Sequence, residues 1–447
     1  MAISTLPILT ETTSLTTGTL LYVLPSPFTS GQKTSLDTLS NFIISNYGLM
    51  KEWRSGESYI VVETTSNEIT NGVNLLSKLS GICDDRPYGK DRSKNNPKTL
   101  LLPPGVYDLN GQILQITGSG INIIGMGSPK STIIYYSGKS NLITSTIAPV
   151  SLYLSANECM VSNLTIYTKN QPNGINIPQI YIGGISDIVL SNLILTGDGT
   201  GSYLLNSYGK SSIIIAHTSL NTNKIDIENI KANGAISDGN TTEQLVGPVN
   251  INNSEFICND YFLNRYGTFG DFPVNTNFEF NNCILISNSG ALISDANSNA
   301  DSPVVANFNF NNCYISGKAL TAYSSLSHSD PGGTNYLSGR FTNCTIDGTI
   351  EGFGGYINSC RIKSMTDTLP AVFVNKQSGA AINTITSYNL QITNSTLIGG
   401  KNCSASISGL GPSYSHSLVI SNCQTNKSIT GFKTIISGYN LTNSSIF

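Results

Sequence analysis

The segments "FEFNNC" (Phe278–Cys283) and "FNFNNC" (Phe308–Cys313) are nearly identical and begin thirty residues apart. Each alternates phenylalanine with a polar residue and then ends in two asparagines and a cysteine. Alternation with a period of two is typical of a β-strand with one buried face, whereas helical apolar residues recur every three to four positions. The two segments therefore predict equivalent strands in successive copies of one structural unit.

The same pattern recurs along the chain from about residue 160. Later copies stand at Asn394 and Asn422, and a poorer match, one residue out of step, lies near Asn358. Seven asparagines from Asn163 to Asn343 mark the first copies. Their spacing stays close to that of Asn282 and Asn312, apart from a longer interval that ends at Asn229 and a shorter one that follows it. A β-type repeat of roughly 30 residues predicts a solenoid of roughly eleven or twelve coils between residues 100 and 440, stacked about 4.8 Å apart. The seven asparagines are Asn163, Asn192, Asn229, Asn253, Asn282, Asn312 and Asn343.

The recurring asparagines and cysteines suit a structural role in such a solenoid. Asparagine tolerates the left-handed backbone of a sharp bend, and stacked amides can hydrogen-bond from coil to coil. Cys283, Cys313 and Cys344 follow the asparagine at one offset, which predicts a ladder of buried free thiols. Metal ligation is the alternative, but no histidine or acid recurs with these cysteines and the nine cysteines form no CxxC pair. We expect neither a metal nor a cofactor.

The region before the repeats carries a resemblance to a known fold. Residues 69–82, "ITNGVNLLSKLSGI", have a helical apolar face, and "PPGVYDL" (Pro103–Leu109) is followed by "GINIIGMG" (Gly120–Gly127). This succession resembles the entry to pectin-lyase-like proteins. The resemblance implies an all-β fold, a right-handed single-stranded parallel β-helix with an N-terminal strand–turn–helix segment and a capping helix. The expected divisions are an attachment segment at 1–50, a capping helix and entry at 51–99, and the β-helix at 100–447.

The N-terminal stretch "LYVLPSPFTSGQKTSLDTL" (Leu21–Leu39) resembles a short segment common in phage tail and virion proteins. In those proteins the segment often attaches one virion protein to another. An ordinary strand–turn–helix unit would show the same sequence pattern and is the alternative. The resemblance implies a tail spike, fibre or related appendage, a homo-oligomer such as a trimer, and virion proteins or a host-surface glycan as partners. The repeat runs almost to Phe447 without a separate trimerisation region, which departs from a typical tail spike and favours a purely structural virion part.

Composition excludes several other functions. Charged residues are 11% of the chain and the net charge is −3, so no basic surface for nucleic acid is expected. The N-terminus lacks the basic and apolar regions of a signal peptide, and no apolar run approaches a membrane span. We expect synthesis in the host cytoplasm, a final location in the virion and no membrane insertion.

Two aromatic and polar segments, residues 258–277 and 322–339, are the candidate binding loops. Rings with nearby carboxylates and arginine suit carbohydrate, and the same residues suit a protein contact or a loop that folds back on the solenoid. The candidate residues are Asp260, Tyr261, Arg265, Tyr266, Phe269, Asp271 and Phe272 in the first segment and Tyr323, His328, Asp330 and Tyr336 in the second.

A polysaccharide depolymerase, either hydrolase or lyase, is the alternative function, because related folds include such enzymes. Hydrolysis usually needs two carboxylates at a set separation. Of the polygalacturonase motifs only Arg-Ile-Lys is present, at Arg361–Lys363, and the single Asp-Asp pair, Asp84-Asp85, precedes the solenoid. The catalytic residues therefore stay unassigned. The candidate acids are Asp260, Asp271, Glu279, Asp295, Asp301 and Asp330.

Overall fold

A computed structural model gives the fold. It describes residues 59–84, 97–137, 150–169, 178–183, 187–197, 211–215, 225–232, 235–238, 247–258, 263–265, 276–287, 293–295, 305–317, 320–321, 336–351, 353–373, 389–408, 417–432, 434–437 and 442–443. The expected attachment segment at 1–50 lies outside these residues.

Thirty-six strands, one α-helix and one short 3-10 helix lie in the described part of the chain. The α-helix is α1 (Glu68–Asp84), and the 3-10 helix is Pro129–Ser131. The first strands are β1 (Tyr59–Val61), β2 (Lys98–Leu102), β3 (Gly105–Asp108), β4 (Leu114–Ile116), β5 (Ile121–Gly125), β6 (Thr132–Tyr136), β7 (Leu152–Leu154), β8 (Met160–Thr168), β9 (Ile180–Ile182), β10 (Ile188–Gly197), β11 (Ser211–Ile215) and β12 (Ile225–Ala232). The middle strands are β13 (Ala235–Asp238), β14 (Gly247–Asn252), β15 (Glu255–Cys258), β16 (Leu263–Arg265), β17 (Thr276–Asn281), β18 (Ile284–Ser287), β19 (Ile293–Asp295), β20 (Val305–Asn311), β21 (Tyr314–Ser316), β22 (Leu320–Thr321), β23 (Tyr336–Thr342) and β24 (Thr345–Asp347). The last are β25 (Ile350–Glu351), β26 (Phe353–Asn358), β27 (Arg361–Lys363), β28 (Val372–Phe373), β29 (Asn389–Thr393), β30 (Thr396–Ile398), β31 (Ala405–Ser408), β32 (Ser417–Ser421), β33 (Gln424–Thr425), β34 (Ser428–Thr430), β35 (Thr434–Ser437) and β36 (Thr442–Asn443).

All strand pairs are parallel and join each strand to its equivalent one coil later. A 24-stranded sheet forms two faces that meet at the asparagine bend, face 1 before the bend and face 2 after it. Face 3 consists of a 7-stranded sheet from β4 to β19 and a 5-stranded sheet from β22 to β34. Crossover connections between parallel strands are right-handed in nearly all proteins. The predicted right-handed parallel β-helix is confirmed.

The two segments "FEFNNC" and "FNFNNC" lie in adjacent coils and in register. Phe278 pairs with Phe308, and Phe280 pairs with Phe310. The rings stack inside the solenoid, with centroids 5.3 Å apart for the first pair and 4.7 Å for the second. Phe341 continues the second stack, 4.8 Å from Phe310. Inward side chains therefore build the core through coil-to-coil stacks, and the intervening residues face outward.

The bend residues have left-handed backbone angles. The φ angle of Asn282 is 55° and that of Asn312 is 54°. The poorer match near Asn358 is explained by Ser359, which has a φ of 56° and occupies the bend position itself. Each coil is named below by its bend residue. The bend residues are Asn163, Asn192, Asn229, Asn253, Asn282, Asn312, Asn343, Ser359, Asn394 and Asn422.

The number of coils exceeds the expectation from sequence. Thirteen face 1 strands from β2 to β35 follow β1 in the described part of the chain. An expectation of eleven or twelve coils assumes that the spacing of the opening pair holds on average along the chain. One interval is much shorter, because Cys344 and Cys360, each directly after a bend residue, lie only 16 positions apart. The connection between Glu351 and Phe353 in this coil is a single residue. Coils shorter than that spacing account for the difference.

Helix α1 covers the first coil. Asn67 caps its N-terminus by accepting a hydrogen bond from the Thr70 N–H, at 2.9 Å. Leu75, Leu79 and Ile82 are buried and belong to the core of the β-helix. Asn71 is buried as well and donates to the Val106 carbonyl of β3 at 3.0 Å. The helix thus closes the apolar interior at the start of the solenoid.

Candidate ligand-binding surface

Most of the predicted binding residues lie outside the described residues. These are Asp260, Tyr261, Tyr266, Phe269, Asp271, Phe272, Tyr323, His328 and Asp330. Arg265 ends β16 and Tyr336 begins β23, but only their backbones are described. The binding role of these two segments stays a prediction.

Face 1 carries an outward row of polar and aromatic side chains three residues before each bend from Asn229 to Asn394. Strand alternation produces this row, because Phe278 and Phe280 point inward and Glu279 between them points outward. Asn250 donates to the Asp226 carboxylate at 2.8 Å within the row. The members are Asp226, Asn250, Glu279, Asn309, Arg340, Tyr356 and Gln391, called the outer row.

Asparagine amides form two ladders beside this row. Directly before the bend, Asn281 donates to Asn252 and Asn311 donates to Asn281, both at 2.9 Å. At the bend itself, Asn282 donates to Asn253 at 3.2 Å, and Asn192 donates to Asn163 at 2.7 Å. Each of these bonds uses one of the two N–H groups of an amide, so the ladders order polar groups without consuming all their donors.

Face 2 presents a cluster centred on Asp347. Tyr314 donates its hydroxyl to Asp347 Oδ2 at 3.0 Å, and Arg361 approaches Asp347 Oδ1 at 3.5 Å. These residues come from three successive coils, so the carboxylate connects side chains on either side of it. Burial and the Asp347 carboxylate raise the pKa of Tyr314. The Tyr314 hydroxyl therefore stays protonated and acts as a hydrogen-bond donor.

The outer row on face 1 includes an exposed aromatic residue held by a cation. The Arg340 guanidinium lies over the Tyr356 ring, 5.4 Å from its centroid. Tyr356 is 48% exposed. Such a pair stabilises the arginine rotamer and leaves ring surface for a ligand. Tyr356 and the guanidinium therefore form a preordered element on a strand rather than on a loop.

The cysteines contribute to the core. Cys283, Cys313, Cys344 and Cys360 follow the bend in four successive coils, and each is at most 3% exposed. A hydrogen bond with Cys283 and burial raise the pKa of the Cys313 thiol. No group of three or more His, Cys, Asp or Glu side chains is arranged for a metal ion in the described parts of the chain. The four cysteines are free thiols stacked from coil to coil in the core.

Sequence reasoning missed the outward residues of the strands. Arg340 and Tyr356 stand three residues before a bend residue, and Tyr314 and Arg361 stand two residues after one. The offsets from Asn343 and Asn312 identify Arg340 and Tyr314, and those from Ser359 identify Tyr356 and Arg361 once Ser359 is recognised as a bend. Of the candidate acids, Glu279 lies in the outer row and Asp295 ends β19 with its side chain undescribed. The other four acids lie outside the described residues.

Comparisons with known proteins give only distant structural similarity. No family model and no curated protein matches the chain. The ORF18 protein of Geobacillus virus E2 aligns at 11% identity over 92% of this chain and 65% of that one, with a TM-score of 0.45. The mannuronan C-5 epimerase A-module of Azotobacter vinelandii aligns at 10% identity, covering 86% and 100%, with a TM-score of 0.38. Rice weevil pectin methyl esterase aligns at 12% identity over 90% of each chain, with a TM-score of 0.27.

The chain spans about 65% of the length of the viral protein. These similarities are too low to transfer an activity, a ligand or a partner to this chain. Among the residues described, no helix is long and apolar enough to cross a membrane.

Proposed function

We propose that this chain is a structural protein of a phage or virus particle, a tail spike, fibre or related appendage that binds a host-surface glycan. The outward surface beside the asparagine bend carries this proposal. There Tyr356 and Tyr314 stand among amides, arginines and a carboxylate on rigid strands. Sugars bind to such surfaces because their C–H faces pack on aromatic rings and their hydroxyls bond to planar polar groups.

Rigid strands make this surface suitable for a repeating ligand. Equivalent side chains recur at each coil, about 4.8 Å apart, so a chain-like ligand meets a periodic array of donors and acceptors. The ladder bonds Asn281–Asn252 and Asn311–Asn281 hold the amides before a ligand arrives. Side chains already ordered in the free protein lose little conformational entropy on binding.

Attachment to the particle is assigned to residues 1–50. The support is the resemblance of Leu21–Leu39 to the attachment segments of virion proteins. We propose a homo-oligomer, a trimer by analogy with tail spikes, with other virion proteins as partners of that segment. The mass of the full chain in solution tests the oligomer, because a monomeric mass contradicts the trimer.

A single pair of full-length variants separates attachment from binding. Leu36→Asp with Leu39→Asp should remove the protein from purified particles while the isolated protein still binds host glycan. Tyr314→Ala with Tyr356→Ala should enter particles normally and bind the glycan more weakly. Absence of the wild-type protein from particles, or no binding to host polysaccharide or to any glycan on an array, would refute the corresponding half of the proposal.

A depolymerase is the second candidate, and one observation favours it. Asp226 and Glu279 lie in the outer row with Asn250 between them, two coils apart. Their strands are thus roughly 10 Å apart, near the carboxylate separation of inverting glycoside hydrolases. Incubation with host polysaccharide distinguishes the two functions. New reducing ends, or an unsaturated product absorbing in the ultraviolet, that disappear in Glu279→Gln would establish the enzyme.

A further inference from the structure

Charge is distributed unevenly along faces 1 and 2. From the Asn229 coil to the Asn282 coil, the described outward side chains include four acids and one lysine: Asp226, Glu228, Glu255, Glu279 and Lys231. On faces 1 and 2 of the Asn343 and Ser359 coils the balance reverses to three cations and one carboxylate, and a second carboxylate, Asp367, lies in the turn after β27. The four residues on the two faces are Arg340, Arg361, Lys363 and Asp347. The two groups lie on one continuous pair of faces. An anion near this surface is therefore repelled by the earlier coils and attracted by the later ones.

The cations in the later coils are only partly neutralised. The Arg361–Asp347 contact is 3.5 Å long, and the two side chains are 49% and 30% exposed. Arg340 and Lys363 have no carboxylate within 4.0 Å among the described side chains. Exposed ion pairs of this kind contribute little and exchange readily. The guanidinium and ammonium donors are thus available to an external anion.

The shape of the bend changes in the same coil. Ser359 occupies the position that asparagine holds at every other described bend from Asn163 to Asn422. Its shorter side chain lowers the exposed ridge between face 1 and face 2. Tyr356 and Arg361 lie three residues before and two residues after Ser359. A smaller side chain therefore separates Tyr356 from Arg361 than separates the equivalent positions at the other described bends.

The backbone is also specialised directly before Arg340 and Tyr356. Gly339 and Gly355 have φ angles of 144° and 146°, which favour glycine, and they pair in register. A Cβ on Gly339 would lie 1.9 Å from the Phe308 carbonyl oxygen. Backbone of this kind recurs where a strand redirects a side chain at a functional surface. Arg340 and Tyr356 directly follow these two glycines. No other member of the described outer row is preceded by a glycine with a positive φ angle.

We propose that Arg340, Tyr356, Arg361 and Lys363, the basic patch, bind an oxyanion substituent of the glycan: a carboxylate, a sulfate or a phosphate. This inference rests on the proposed glycan-binding function. The arginine forks match the paired oxygens of such groups, and the lysine supplies a point charge. Tyr356 packs against the sugar ring that carries the anion. The acidic coils from Asn229 to Asn282 disfavour a long uniform polyanion such as nucleic acid.

The test compares ligands with and without an oxyanion on the full-length protein. The probes are oligogalacturonate for carboxylate, a sulfated galactan oligosaccharide, a poly(ribitol phosphate) teichoic acid, neutral cellohexaose and a single-stranded DNA. Calorimetry measures their affinities for wild type and for the triple variant Arg340→Gln, Arg361→Gln, Lys363→Gln. The matched control is Lys78→Gln, Lys130→Gln, Lys401→Gln, which removes three exposed charges elsewhere.

We expect at least one oxyanion probe to bind at least about tenfold more tightly than cellohexaose, with an affinity that falls as salt is raised. The triple variant should lose about tenfold or more of this affinity, since each charged hydrogen bond contributes about that factor, and the control triple should keep it. Arg340→Lys with Arg361→Lys keeps the charge but loses the paired donors, and should be intermediate. The probe that binds identifies carboxylate, sulfate or phosphate.

Three results overturn the inference. Equal binding of cellohexaose and the charged sugars, unchanged in the triple variant, refutes the basic patch and leaves the glycan-binding function intact. Tight binding of DNA that the triple variant abolishes assigns the patch to nucleic acid instead. Failure of wild type to bind any glycan, including host polysaccharide, refutes the glycan-binding function together with this inference.

Discussion

The Arg340 guanidinium lies 5.4 Å from the centre of the Tyr356 ring, and the two residues are paired in register on adjacent coils. This arrangement follows from the parallel stacking of coils, because residues one coil apart in sequence become direct neighbours on face 1. A cation and an exposed ring held together on strands form a rigid recognition element. Substitution of Tyr356 separates its contribution to glycan affinity from its contribution to the stability of the fold.

Tyr356→Ala should weaken glycan binding by about tenfold with little change in folding, since aromatic contacts of this kind contribute about 0.5–1.5 kcal/mol beyond their buried area. Tyr356→Phe keeps the ring and should bind nearly as wild type. Calorimetry measures the affinities, and thermal unfolding checks stability. Val73→Ala, at an exposed position of helix α1 away from the outer row, is the control and should bind as wild type. Equal affinities for Tyr356→Ala and wild type would remove Tyr356 from the binding surface.

Phe310→Ala should lower the free energy of unfolding by about 3–5 kcal/mol, the usual cost of truncating a buried aromatic residue. Phe310 stacks between Phe280 and Phe341, at 4.7 Å and 4.8 Å, and is fully buried. Its loss would leave a gap in a stack that spans three coils. Denaturant unfolding measures the change. Asn309→Ala, the outward neighbour, should cost less than about 1 kcal/mol. A small effect at Phe310 would contradict the stacked core.

Gly339→Ala and Gly81→Ala should change stability in opposite directions. At Gly339 the new Cβ would meet the Phe308 carbonyl oxygen at a φ of 144°, so the strand must shift and the protein should lose about 1–3 kcal/mol or more. At Gly81, in helix α1, nothing lies within 4 Å of a new Cβ. Alanine there should stabilise the helix by up to about 1 kcal/mol. Unchanged stability of Gly339→Ala would show that the glycine conformation at Gly339 is not required.

Asn282→Ala and Asn282→Gly separate the two properties of a bend asparagine. Alanine loses the ladder bond to Asn253 and must adopt a φ of 55°, which costs about 1–2 kcal/mol in backbone energy alone. Glycine loses the same bond but adopts this conformation readily. We therefore expect the glycine variant to unfold at a higher denaturant concentration than the alanine variant. The reverse order would show that the left-handed conformation of residue 282 does not penalise alanine, while the difference between the glycine variant and wild type reports the ladder bond.

Tyr107→Phe should reduce the alkaline sensitivity of the protein. Tyr107 is fully buried and donates to the Pro103 carbonyl at 2.8 Å, and burial raises its pKa far above the ordinary value. In the unfolded protein Tyr107 loses its proton at about pH 10, whereas in the folded protein it keeps the proton at that pH. The stabilisation is thus complete below that pH and is lost as the pH rises, by about 1.4 kcal/mol per unit.

The phenylalanine variant should therefore lose less free energy of unfolding than wild type between pH 8 and pH 11, measured by urea unfolding. At pH 7 it should be less stable by about 0.5–1.5 kcal/mol, because the hydrogen bond is missing. Parallel pH profiles of the two proteins would show that Tyr107 can ionise in the folded state.

Local sequence patterns predicted the coils of the β-helix but did not predict the candidate ligand-binding surface. The repeated "FEFNNC" and "FNFNNC" segments predicted adjacent coils, because side-chain alternation and bend chemistry are local properties of the chain. The same logic failed at Ser359, where serine replaces the expected asparagine and a single residue separates β25 from β26 before the bend. The same logic favoured the segments at 258–277 and 322–339, because a cluster of aromatic residues is visible in one stretch of sequence, whereas an outward row appears only after the bend residues of successive coils are aligned.

The sequence by itself determined the parallel β-helix, its coil register over most of its length and the helix at its entry. Periodicity of two, a regular coil-length repeat and left-handed asparagine bends leave few other structures. Only the tertiary structure placed Arg340 over Tyr356 and connected Tyr314 and Arg361 through Asp347. These residues lie 14 to 33 positions apart in the chain, and it is the stacking of parallel coils that makes them neighbours.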